Sequence, residues 1–147
     1  MEEYYVYRLE CQEEGEARYI KIGYTRAPEK RLRGILTGCP IQARICRLAP
    51  VGVHEFAAQT IETGLHQEFL SWRHHREWFR VTNEQRTAWE HKWKSIESKA
   101  WAGGRLLKWT LLNVEALVEH WQQVNVAQSR RAQQAREWAR QEKLRHR

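Results

Sequence analysis

A chain of 147 residues, 41% of them apolar and eight of them Trp, is long enough to bury one core with some chain to spare. Its formal charge of +7 favours polyanionic partners. No apolar run approaches the roughly 20 residues that span a bilayer, and the acidic start MEEYYVYRLE offers no secretory signal, so a cytoplasmic protein with no membrane partner is expected.

The three cysteines, Cys11, Cys39 and Cys46, make no CxxC pair and are odd in number, as suits a reducing cytosol. That argues against a disulfide framework and against a cysteine-based zinc site. Every acid is a glutamate, which disfavours nuclease centres in which clustered aspartates bridge two metals. Any metal must then sit on one or two glutamates, with or without a His. The positive charge is uneven: residues 127–147 hold seven cations against Glu137 and Glu142, and so supply +5 of the +7.

In chain order, YYVYRLE (Tyr4–Glu10) reads as a strand with Tyr5, Tyr7 and Leu9 on one face and Val6 and Arg8 on the other. The polar QEEGEA (Gln12–Ala17) turns the chain into a second strand, Arg18–Tyr24, giving an antiparallel hairpin. Thr25 is placed to cap a helix over Pro28–Leu36, which Gly38 and Pro40 end. Ala43–Val51 predicts a third strand. Glu55–Ser71 is the strongest helical pattern, through Phe56, Ile61, Leu65, Phe69 and Leu70. EWFRV (Glu77–Val81) is a short apolar segment expected to dock back on the sheet. Asn83 is placed to cap a helix carrying Trp89, Trp93 and Ile96, which Gly103-Gly104 breaks. Asn113 should cap a last helix, apolar through Val114, Leu117, Val118, Trp121 and Val124. The expected fold is α/β: a small three-stranded antiparallel sheet flanked by helices over residues 1–81, a helical extension over 82–126, and a basic helical tail over 127–147.

One stretch stands out, YIKIGYTRAPEKRL (Tyr19–Leu32), in which a lysine interrupts an apolar strand. Alternation puts Tyr19, Lys21 and Gly23 on one strand face. Lys21 on an apolar side is costly unless that side opens on a polar site, and Gly23 ends the strand where a side chain would obstruct close approach. Arg31 lies about one turn into the next helix, above the strand ends. Together these residues can hold a phosphate.

The strand–turn–strand with YVY (Tyr5, Val6, Tyr7) and KIG (Lys21, Ile22, Gly23), followed by Arg31 in PEKRL, resembles the GIY-YIG nuclease superfamily. TGCP (Thr37–Pro40), IExxLHxxF (Ile61–Phe69) and REWF (Arg76–Phe79) fit its phage-related branch, which often shows KIG in the second half. The match runs in order over residues 4 to 81. Tyr5 stands where the first triplet has glycine, and Lys21 replaces the tyrosine of the second.

The resemblance implies roles. Tyr7 would deprotonate or orient the attacking water, and Lys21 would lower that phenol's pKa or contact the phosphate. Arg31 would stabilise charge on the phosphorane. Glu62 would be the single carboxylate on one Mg²⁺ or Mn²⁺ ion. Tyr5, Tyr19, Gly23 and His66 would support this centre. The superfamily also carries a downstream Asn, for which Asn83 is the candidate. Each residue also has a plain reading. Tyr7 alone is a strand aromatic, Arg31 and Glu62 are solvated helix positions, and His66 is a side chain packed under the sheet. The RHH run (Arg73–His75) invites an HNH-type metal site, but its other pieces are missing, so a solvated loop is expected.

In the tail, Arg130, Arg131, Arg136, Arg140 and Lys143 are candidate contacts to nucleic acid, with DNA the expected form. Trp138 can stack on a base or dock on the domain. The expected function is a divalent-metal-dependent endonuclease. The alternatives are a catalytically weakened module of the same fold that binds nucleic acid or protein, and a helix-extended protein whose tail pairs with an acidic partner. The last helix could also form a homodimer.

Overall fold

Alternating aromatic and β-branched residues build a hairpin from β1 (Tyr4–Gln12) and β2 (Ala17–Thr25), with Tyr7 opposite Gly23, Leu9 opposite Lys21 and Cys11 opposite Tyr19. This computed structural model describes residues 3–12, 17–38 and 43–145. The centre of the expected turn (13–16) and two residues of the TGCP box (39 and 40) lie outside them.

The third expected strand, β3 (Ala43–Gly52), pairs with β1 on its other side. The sheet is nevertheless larger than the three strands expected. β4 (Arg73–His75) and β5 (Trp78–Thr82) extend it beyond β2, and β6 (Thr110–Asn113) extends it beyond β3, giving six antiparallel strands in the order β4-β5-β2-β1-β3-β6. EWFRV does dock back, as β5. The RHH run is an exposed edge strand and not the solvated loop expected. At four residues, TLLN is too short to show a period of two, which is why β6 falls inside a segment expected to be helical.

Four helices complete the chain: α1 (Pro28–Gly38), α2 (Glu55–Glu68), α3 (Arg86–Glu97) and α4 (Val114–Arg145). The Thr25 hydroxyl takes the N–H of Ala27 in a turn ahead of α1, but Thr25 is not the cap expected: Ala27 holds that position, its carbonyl accepting the first helical N–H, that of Arg31. Asn83 does not cap α3. That helix begins later, after Gln85, and has no side-chain cap, while the Asn83 carbonyl closes a turn onto the N–H of Arg86. α2 stops at Glu68 and passes through a 3₁₀ turn, Leu70–Trp72.

The larger core cluster lies on one face of the sheet, while Tyr7, Leu9, Cys11 and Cys46 are buried on the other. Val6, Ile20 and Ile22 meet Ile61, Leu65 and Phe69 from the α2 segment and Trp89, Trp93 and Ile96 of α3. The Phe69 ring sits 4.2 Å from that of Trp89 and 5.5 Å from that of Trp93, centroid to centroid. Phe56 and Leu70, expected in the apolar stripe, are instead 79% and 59% exposed at its two ends. Arg8 is buried on this core face, stacked 4.2 Å from the centroid of Trp93 and ion-paired to Glu10 and Glu90.

The chain divides into two compact units, residues 1–114 and 115–147. In the second, Arg130, Arg131, Arg136, Arg140 and Lys143 are exposed along α4, and Trp138 is 67% exposed. Arg136, Arg140 and Lys143 follow i, i+4 and i+7 and share one helix face, while Arg130 and Arg131 fall outside that stripe. No helix among the described residues is long and apolar enough to cross a membrane.

Candidate active site

Strand lengths decide where the site forms. β5 pairs with β2 only as far as Trp78 opposite Lys21, followed by one further bond from the Ile22 N–H to the Glu77 carbonyl. Beyond that point the outer edge of β2 has no strand partner, and its backbone groups need others. α2 supplies them. His66 Nε2–H donates to the Ile22 carbonyl at 2.9 Å, which fixes its tautomer, and the Glu62 carboxylate accepts the Tyr24 N–H. The gap left by a short strand thus carries two α2 side chains to the rim of the opposite sheet face.

On that face the Tyr7 ring lies flat against Gly23. A Cβ on Gly23 would sit 2.5 Å from the Tyr7 hydroxyl oxygen and 2.6 Å from Cζ, so only glycine leaves room. The close approach foreseen for Gly23 is therefore made by the protein's own phenol. Arg31 comes down from α1 and donates from Nε to the Tyr7 hydroxyl at 3.4 Å. Lys21 Nζ pairs with the Glu77 carboxylate at 3.4 Å and lies 5.4 Å from the Trp78 ring centre. His66 Nε2 stands 3.8 Å from Glu62, and its ring packs edge-on against Phe79. His66 thus both packs under the sheet and touches the carboxylate.

The electrostatics follow from this crowding. Burial raises the Tyr7 pKa above its usual 10.0; Arg31 pulls it back, while Glu77 and Glu62 push it further up. The cation that acts on the phenol is thus Arg31, with Lys21 engaged by Glu77. Burial, then the charge of Glu77, lifts the Glu62 carboxylate to about 7, against the pull of Arg31, Lys21 and the Tyr24 N–H.

Not every expected residue joins this cluster. Tyr5 lines a separate groove with Arg26, Pro28, Glu29, Leu48 and Leu112. Tyr19 lies four register pairs from Gly23, edge-on to His74. Asn83 lines another groove with Arg80, Thr82 and Glu84. Beside Arg31 a shallow groove of about 230 Å³ opens, lined by Thr25, Ala27, Lys30 and Gly34. Glu77 is the member that sequence reasoning missed. It stood in plain view in REWF, and the signal was Lys21, a strand cation in need of an acid.

A divalent ion has to fit this donor set. No group of three His, Cys, Asp or Glu side chains able to hold a metal occurs among the described residues. A desolvated carboxylate whose pKa is raised partly by a second carboxylate does suit a cation that keeps most of its waters. Mg²⁺ or Mn²⁺ on Glu62 fits these residues, and a four-ligand structural zinc site does not.

The fold is thus a small α/β domain, a helix-backed antiparallel sheet with a phenol, a guanidinium and a carboxylate at one rim. The T5orf172 domain family matches residues 4–94, and the chain belongs to that family, a phage-associated one often linked to nuclease-type folds. Comparison with curated proteins and with solved structures gave no match.

Proposed function

We propose that the domain hydrolyses phosphodiester bonds of nucleic acid, DNA being the expected form, as its resemblance to GIY-YIG nucleases implies. The observation that carries this reading is the Tyr7–Gly23–Arg31 arrangement. A buried phenol is pressed onto a glycine, its hydroxyl meets a guanidinium, and a carboxylate sits nearby on a bare strand edge. A strand aromatic with no task needs neither the glycine nor the cation.

In the reaction, the Tyr7 hydroxyl hydrogen-bonds the attacking water and aims it at phosphorus. The raised pKa supports this orienting role over a deprotonating one. Arg31 is placed to meet charge that develops on the phosphoryl oxygens, a contact type worth about 3–4 kcal/mol. Lys30, on the wall of the adjacent groove, offers a second cation to the strand. Glu62 would hold Mg²⁺ or Mn²⁺, which when bound supplies Lewis-acid stabilisation of the leaving oxygen. His66 fixes α2 to β2 and so positions Glu62.

The competing reading is a binding module of the same fold without hydrolysis. The Lys21–Glu77 ion pair favours it, since it withholds Lys21 from a phosphate. Incubation with supercoiled plasmid, single-stranded circle and RNA, in Mg²⁺, Mn²⁺ or EDTA, separates the two. Metal-dependent cutting of one substrate supports the nuclease, and tight binding without cutting in any metal supports the module.

A further inference from the structure

We propose that the β2–β5–β4 end of the active-site face is a stacking platform for unpaired bases, so that the substrate is nucleic acid presented as a single strand. The inference rests on the nucleic-acid reading above and adds the form of the substrate. α2 and α3 pack on the opposite face, and α1 reaches this face at Tyr7 on β1. Tyr19 lies directly across from Arg80 and edge-on to His74 of β4, with ring centres 5.5 Å apart. Lys21 lies across from Trp78, whose ring it touches. Residues directly opposite in an antiparallel pair share a face, so Tyr19, Trp78 and Arg80 stand side by side with Lys21. All four are half-buried, and His74 is exposed. Arg80 has no ion-pair partner among the described residues.

The chemistry favours one occupant. Partly exposed rings on one sheet face, interleaved with cations, match bases joined by phosphates, since each base offers a π-face and each linkage a charge. A paired duplex keeps its bases stacked inside and shows the platform only phosphates. The platform also runs into the active site. Tyr19 and Gly23 are four residues apart on one strand, roughly 13 Å at strand rise. A chain stacked on Tyr19 and Trp78 therefore reaches the phenol within a few nucleotides.

The test is binding of the full-length protein in EDTA, by fluorescence anisotropy, to a labelled twelve-nucleotide oligothymidine and to a duplex of equal length. Tyr19→Ala and Trp78→Ala should each weaken single-strand binding roughly 5- to 100-fold, the range for one lost stacking contact. Duplex affinity should change less than about twofold, and Trp78→Phe, which keeps a ring, should retain most of the single-strand affinity. Abasic positions in the oligonucleotide should weaken the wild type similarly and cost the Ala variants little more, because the two changes remove one interaction. Equal losses on duplex and single strand, or fully additive abasic losses, would overturn the platform and leave the nuclease reading standing. Unchanged affinity in both Ala variants would also overturn it and give the face to a protein partner. Failure of the wild type to bind either form would overturn both readings.

Discussion

Gly23 and Tyr7 form a unit: the glycine exists for the phenol, and the phenol is placed by the glycine. In Gly23→Ala the new methyl would collide with a ring that is only 2% exposed and cannot swing into solvent. The ring must shift, and displacement of about 1 Å in a catalytic group can cost on the order of 10²-fold in rate. Single-turnover cleavage should fall by about that factor, with a stability loss of about 1–3 kcal/mol seen in urea denaturation. A wild-type rate would mean that the Tyr7 position is not used. Glu62 gives a second prediction, in pH. Its folded pKa, about 7, lies above the ordinary 4.5, so the folded state holds that proton more tightly than the unfolded chain does. Its contribution to stability is complete below pH 4.5 and is lost as pH rises through 7. In EDTA, Glu62→Gln should therefore leave stability unchanged near pH 4 and raise it by on the order of 2–3 kcal/mol at pH 8. Equal stability of the two proteins at pH 8 would contradict the crowding of Glu62.

At the scale of elements, α2 packs the core with Ala58, Ile61 and Leu65 and carries Glu62 and His66 to the strand edge. Phe69, just after it, joins the Trp pair of α3 to this helix. Phe69→Ala should cost about 3–5 kcal/mol, read from the denaturant midpoint, because four rings lose a shared neighbour. A loss under about 1 kcal/mol would place the core elsewhere. The sequence foretold those elements whose signal is local. The faces of the two hairpin strands follow from alternation, and Arg31 falls about one turn into a helix whose start Pro28 marks. What it could not foretell depends on distant pairing. Glu77 meets Lys21 only because β5 pairs with β2 across more than 50 residues, in a register no short-range pattern encodes. Nor could apolar spacing separate Phe69, which is fully buried, from Phe56, at the exposed start of the same helix.

For the whole molecule, a compact sheet unit that would do the chemistry is followed by a cationic helix suited to adding affinity. Arg136, Arg140 and Lys143 span about 10 Å on one face of α4, and a strand of phosphates can meet all three. Deleting residues 127–147 should weaken binding at physiological salt and flatten the log–log salt slope by roughly 3, at ~0.9 per duplex phosphate and somewhat less on a single strand. Single-turnover cleavage at saturating enzyme should stay near the wild-type rate. Unchanged affinity and slope would assign α4 to self-association, which sedimentation of the full-length protein would show. If the rim of β1 and β2 is a hydrolytic centre, Arg31 and Glu62 act in the reaction and not in binding. This is tested most directly by the single-turnover cleavage rate of Arg31→Ala and Glu62→Ala beside the wild type, each at saturating enzyme in Mg²⁺. The expected result is a fall of roughly 10²-fold or more in both, with oligonucleotide affinity within a few fold of normal. Cleavage at the wild-type rate in either variant, or cleavage by the wild type that survives EDTA, would contradict such a centre.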